Sequence, residues 1–174
     1  MKDKLLSLLA LLVFISSSYG QECDVTLYAY ESSLNRAVNS HIFVDFVCNG
    51  EHHTISWMPA SLRIRLLGNA EKGVNLTLMQ TIGLAKIRRA KIYKYGPYLV
   101  HPKFYEYAIN QEKKLKLGRV KYKCTSGNKN EMNCIQAVTS IVEKSDIQTG
   151  LSYGSQAAIM VKDDWKAKGW IVEK

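Results

Sequence analysis

The stretch Asn133-Cys134-Ile135-Gln136-Ala137-Val138-Thr139-Ser140-Ile141-Val142 decides how the rest of the chain is read. Asn133 suits an N-cap, because its side-chain oxygen can accept from a first-turn N–H, and Gln136 stands where the reciprocal partner of a capping box belongs. Ile135, Val138, Ile141 and Val142 recur at helical spacing and would bury one stripe. The pattern predicts a helix whose first residue is Cys134. Unpaired N–H groups and the positive end of the helix dipole favour a thiolate there, one way in which a nucleophilic cysteine is held. A small buried side chain, or half of a disulfide, fits the same stretch.

The other cysteines decide whether that thiol is available. Cys23, Cys48, Cys124 and Cys134 all follow an N-terminal segment in which Lys2 and Lys4 precede an apolar run, Leu5 to Ile15, and Ser18 and Gly20 supply small residues. Residues 1–20 read as a secretory signal peptide and 21–174 as a single domain, which places the cysteines in a secreted or periplasmic setting where disulfides persist. Asp24–Glu31 (DVTLYAYE) and His41–Cys48 (HIFVDFVC) are rich in β-formers. As an antiparallel hairpin they would bring Cys23 beside Cys48, and that bridge leaves Cys134 free. A Cys124–Cys134 bridge across the loop Thr125–Asn133 would instead consume the thiol.

Asn49-Gly50 is a two-residue turn signal leading to a third strand that stops at Pro59. Ser61–Leu67 and Gly73–Gln80 alternate as strands do. Ile82–Tyr95 fits neither period cleanly, His101-Pro102 opens a helix, Val120–Cys124 is a short strand, and Gln156–Lys168 forms a last helix. Strands first and the cysteine helix late describe an α+β domain, an antiparallel sheet packed against the helix that carries the cysteine.

The formal charge of +9 draws the protein toward anionic surfaces. Lys86-Ile87-Arg88-Arg89-Ala90-Lys91-Ile92-Tyr93-Lys94-Tyr95 is the densest part, and mixes cations with aromatics as a nucleic-acid stripe can. With a signal peptide in front of it, a solvated face is the better reading, and no nucleic-acid partner is expected. No metal is expected either, since His41, His52, His53 and the cysteines lack the spacing of a ligand pair on one helix or in a knuckle. Asp163 and Asp164 are adjacent and would point apart on a helix, unlike the paired carboxylates of a glycosidase. No glycine-rich phosphate loop occurs, so no cofactor is expected.

A thiol nucleophile needs a base and a group that orients the base. His41 opens the second strand and His53 lies in the third, across the Asn49-Gly50 turn. With HIFVDF, His53 followed by TISWMP, and the late Asn133-Cys134 pair, the chain resembles the circularly permuted papain-like (NlpC-type) thiol enzymes, which include lecithin retinol acyltransferase-like proteins. The resemblance implies that Cys134 is the nucleophile, His41 its base and His53 the third polar residue fixing the His41 tautomer. It also implies that N–H groups at the helix start stabilise an oxyanion, with the helix terminus and a neighbouring imidazolium lowering the thiol pKa.

Three features depart from the family. Asn39-Ser40 precede His41 where many members have Gly. His52 and Ser56 compete with His53 for the third place. On strict alternation His41 shares a face with Phe43 and Asp45, while Ile42, Val44 and Phe46 form the apolar face, so a bulge or shifted register is needed to aim His41 at the helix. The expected function is a cysteine-dependent hydrolase or acyltransferase acting on an amide or ester. Cell-wall peptides are the first substrate class, with lipid esters or another protein also compatible. The rival is a non-catalytic, disulfide-stabilised secreted binding domain of the same fold.

Overall fold

The computed structural model describes residues 23–31, 40–61, 69–125, 130–142 and 154–173. The signal-peptide segment and nearly all of the Ser61–Leu67 strand expected from the sequence lie outside them.

Strands β1 (Cys23–Glu31) and β2 (His41–Cys48) pair antiparallel without interruption, from Cys23 opposite Cys48 to Tyr30 opposite His41. The directly facing cysteines are disulfide-bonded, as the hairpin reading requires. Asn49 and Gly50 have φ of 52° and 79°, the positive pair that a tight two-residue hairpin turn demands, and lead into β3 (Glu51–Ile55). The expected third strand then breaks at Ser56, and β4 (Trp57–Pro59) joins a second sheet with β5 (Glu71–Asn75).

Gly73–Gln80 is not one strand. The chain leaves β5 after Asn75, and Thr77 caps helix α1 (Leu78–Ile87) through a complete capping box with Gln80. Val74, Leu76 and Leu78 imitate a period of two up to the cap, which is why alternation misleads here. The basic stretch divides between the end of α1 and strand β6 (Lys91–Val100), with Arg89 at φ 50° making the turn. Then come α2 (Pro102–Lys116), capped by His101, the short parallel strands β7 (Lys121–Tyr122) and β8 (Glu131–Met132), α3 (Cys134–Thr139), α4 (Gly154–Ala167) and β9 (Ile171–Val172). The large sheet runs β3-β2-β1-β6-β9 and the small one β4-β5-β7-β8, a mixed α+β architecture.

Both faces of the large sheet are covered. Val25, Leu27 and Ala29 of β1 and Ile42, Val44 and Phe46 of β2 pack under α2 and α4, where Phe104 meets Trp165 edge-on with ring centres 4.5 Å apart. The opposite face holds Tyr30 and Phe43, covered by Ala85 of α1, with Tyr28 stacked on Phe43 at 4.9 Å. The β1–β2 pairing has no bulge, so His41 stays on the face of Phe43, which α1 roofs, while Ile135 and Val138 of α3 join the core with Ile42 and Val44. In the small sheet Trp57 is fully buried, donates from Nε1 to the Met132 carbonyl at 3.2 Å, and lies so close over Gly73 that a Cβ there would fall inside its ring.

Candidate active site

Four elements converge around His41. The residue opens β2, where β3 no longer pairs with that strand, and its side chain is buried between the Tyr30 and Phe43 rings, with centroids 5.4 and 5.7 Å away. Its Nε2 lies 2.9 Å from Ser56 Oγ. Ser56 occupies the break between β3 and β4, where Asn75 holds it in place: Asn75 Oδ1 accepts from the Ser56 N–H and Asn75 Nδ2 donates to the Thr54 carbonyl, while Leu76 donates to the Ser56 carbonyl.

Ser56 Oγ is in turn 2.8 Å from Thr81 Oγ1, which also donates to the Thr77 carbonyl at 2.8 Å. A carbonyl only accepts, so Thr81 has spent its one proton on Thr77. Ser56 must then donate to Thr81, and His41 must donate to Ser56 from Nε2. This is the one proton arrangement that makes all three contacts hydrogen bonds, and it leaves the lone pair on Nδ1. Burial, with the Arg88 guanidinium as a second cause, pushes the His41 pKa down to about 3, so the ring is a neutral base at ordinary pH.

Cys134 is placed by the capping box foreseen from the sequence: Asn133 Oδ1 accepts from the Gln136 N–H at 2.8 Å and Gln136 Oε1 accepts from the Asn133 N–H at 3.0 Å. Asn133 Nδ2 also donates to the Cys124 carbonyl, tying the helix start to the segment that follows β7. Cys124 and Cys134 are both free thiols. The backbone of Ile42, the residue next to His41, and the helix start each act to lower the Cys134 pKa. Cys134 packs against the core that holds Ile42 and Val44, whereas His41 lies with Tyr30 and Phe43, and among the described residues no hydrogen bond joins the two side chains.

The expected lowering of the thiol pKa is not what this environment produces. Burial outweighs the N–H groups and pushes Cys134 up to about 11, with Cys124 adding to the effect. Helix α3 has only six residues, so little dipole opposes desolvation, and a neutral His41 supplies no positive charge. Because only the thiolate alkylates, iodoacetamide at about pH 8 is expected to label Cys134 about a hundredfold more slowly than an ordinary cysteine of pKa 9.0. Peptide mass spectrometry of time points, with the unfolded protein as reference, measures this.

His53 does not orient His41. Its Nδ1 is 2.9 Å from Glu112 Oε2, and its ring stands edge-on to Tyr105, because β3 pairs it with Phe46 well along β2 from His41. His52 Nδ1 instead meets the buried Asp45 carboxylate at 2.7 Å, on which Thr54 also donates. Both His52 and Glu112 border a cavity of about 340 Å³ shared with Asn75, Leu78 and Lys116 but not with Cys134 or His41. Ser56, left open in the sequence, takes the place beside His41.

Thr81, Tyr30, Arg88 and Asn75 were not singled out by sequence. Arg88 donates to the Tyr30 hydroxyl at 3.0 Å, while burial raises the Tyr30 pKa to about 12. The Thr77-x-x-Gln80 cap was the one signal that could have placed Thr81 on a helix facing the sheet. No protein-family model, no curated protein and no solved structure matches the chain.

Proposed function

We propose that the protein is a cysteine-dependent hydrolase or acyltransferase with a permuted papain-like arrangement, in which Cys134 is the nucleophile, His41 the base and Ser56 the positioning residue. The observation that carries this reading is the directed chain from His41 through Ser56 and Thr81 to the Thr77 carbonyl, and a free thiol at a helix start supports it. Attack and proton transfer run together, since neither group is charged at rest. The Cys134 proton passes to His41 Nδ1 as sulfur bonds to the carbonyl carbon. Collapse of the tetrahedral intermediate expels an amine or alcohol that takes the proton from His41. Water or an acceptor nucleophile then gives its proton to His41, attacks the thioester and releases the Cys134 thiol.

Peptide cross-bridges of a cell wall are the substrate class that fits a secreted basic protein best. The disulfide is compatible with an oxidising compartment, and among the described residues no helix is long and apolar enough to cross a membrane.

The protonated thiol favours a second reading, a disulfide-stabilised binding domain in which Cys134 only packs. Acylation by p-nitrophenyl acetate separates the two. Transfer of an acetyl group to Cys134, located by peptide mass spectrometry, is expected to outrun that to Cys124 and to fall roughly a hundredfold or more in His41→Ala. In Ser56→Ala the pH profile should shift as well as the rate, because the imidazole loses the partner that fixes its tautomer. Acylation of Cys134 that is no faster than that of Cys124, or indifferent to His41, would leave the binding domain.

A further inference from the structure

Helix α1 is apolar on every side, Leu78-Met79-Gln80-Thr81-Ile82-Gly83-Leu84-Ala85-Lys86-Ile87, yet only Thr81 and Ala85 are buried. A helix of that kind is ordinarily enclosed. Here Met79 is 75% and Ile87 81% exposed, the two most exposed large apolar side chains among the described residues. Measured from Thr81 at a hundred degrees per residue, Met79, Gly83, Lys86 and Ile87 share the arc opposite the sheet. Met79 and Ile87 stand roughly 12 Å apart along the axis. The outer face of α1 thus presents two protruding, exposed apolar anchors among the described residues.

The charge around the anchors says what covers them. Between Glu71 and Glu106 the chain contains no Asp or Glu at all. Lys86, Arg89 and Lys94 in that interval are exposed and make no ion pair among the described residues. Exposed apolar side chains with cations close by suit a membrane interface: the apolar tips enter the acyl boundary and the cations meet lipid phosphates. We propose that the outer face of α1, with Met79 and Ile87 as anchors and Lys86, Arg89 and Lys94 as the charged rim, is a docking surface for an anionic phospholipid bilayer.

The reading is independent of the acyl chemistry, and Cys134→Ala keeps it intact. The test uses the full chain with Ile87→Cys carrying a nitrobenzoxadiazole label, and a second preparation labelled at Met160→Cys on α4, across the sheet from α1. On phosphatidylglycerol vesicles the Ile87 label is expected to brighten and shift to the blue, on phosphatidylcholine vesicles to stay unchanged, and the Met160 label to stay unchanged on both. Lys86→Glu with Arg89→Glu should weaken the phosphatidylglycerol response by about tenfold or more, and raised salt should do the same. An equal response on neutral vesicles, a response at Met160 alone, or a response of Ile87 to double-stranded DNA and not to vesicles overturns the proposal. Locating the label on α1 keeps any binding by the apolar run at residues 5–15 from counting in its favour.

Discussion

Lowering the pH from about 7 to about 4.5 is expected to cost the protein about 2–3 kcal/mol of stability through His41 alone, and about 4 kcal/mol by pH 3. The folded-state pKa of about 3 lies below the ordinary 6.5, so between these values the unfolded chain binds a proton that the native chain does not. Stability therefore rises with pH across that window and falls as pH drops through it; above about 6.5 the group contributes no slope. The cause is burial: the ring lies between Tyr30 and Phe43 with the Arg88 cation nearby, and a second positive charge has no solvent to receive it. Against a typical total of about 5–15 kcal/mol the effect is large. Urea unfolding of wild type and His41→Gln at both pH values measures it, because Gln can still donate an amide hydrogen to Ser56 but does not titrate. The variant should lose about 2–3 kcal/mol less than wild type over the same interval, and equal losses in the two proteins would contradict the assignment.

Gly73→Ala is expected to destabilise the protein by about 3 kcal/mol or more. The added methyl would fall on Cζ2, Cη2 and Cε2 of Trp57, a rigid ring that is fully buried and anchored by its Nε1 bond to Met132. A flexible side chain could swing away; this indole cannot without parting β4 from β5 or releasing β8. Met132 immediately precedes the Asn133 cap, so any loosening also exposes Cys134, and faster alkylation should accompany the loss of stability. Gly83→Ala provides the contrast: it lies within α1, a Cβ there meets nothing within 4 Å, and the helix should gain up to about 1 kcal/mol. Denaturant unfolding of both variants, with Trp57→Phe added to Gly73→Ala as partial rescue, checks the pair.

Much of this architecture was legible in the chain because local chemistry and tertiary placement agree. The Asn49-Gly50 turn, the facing Cys23 and Cys48, the cap at Asn133 and the Pro-led helix after His101 each follow from short-range rules that the packing does not override. Where two signals competed, alternation concealed the cap: Thr77 starts a helix just where Val74, Leu76 and Leu78 suggest a strand. For the candidate site, residue types were legible but the network was not. His41 and Cys134 stand out by residue type, whereas Ser56 and Thr81 are ordinary hydroxyls whose role depends on a break between strands and on a helix roofing the polar-looking side of β2. The direction of the thiol shift also lay beyond the sequence, because it depends on how completely the sulfur is withdrawn from water.

A row of hydroxyls has no inherent sense, since every member can rotate to give or to take. The Thr77 carbonyl, which can only take, ends the row and gives it one. An imidazole is thereby set in one tautomer by dipoles alone, where a carboxylate in that place would also have drawn a proton onto the ring and held it charged. Orientation has been separated from ionisation: His41 is held in one tautomer while its ring stays electrically silent.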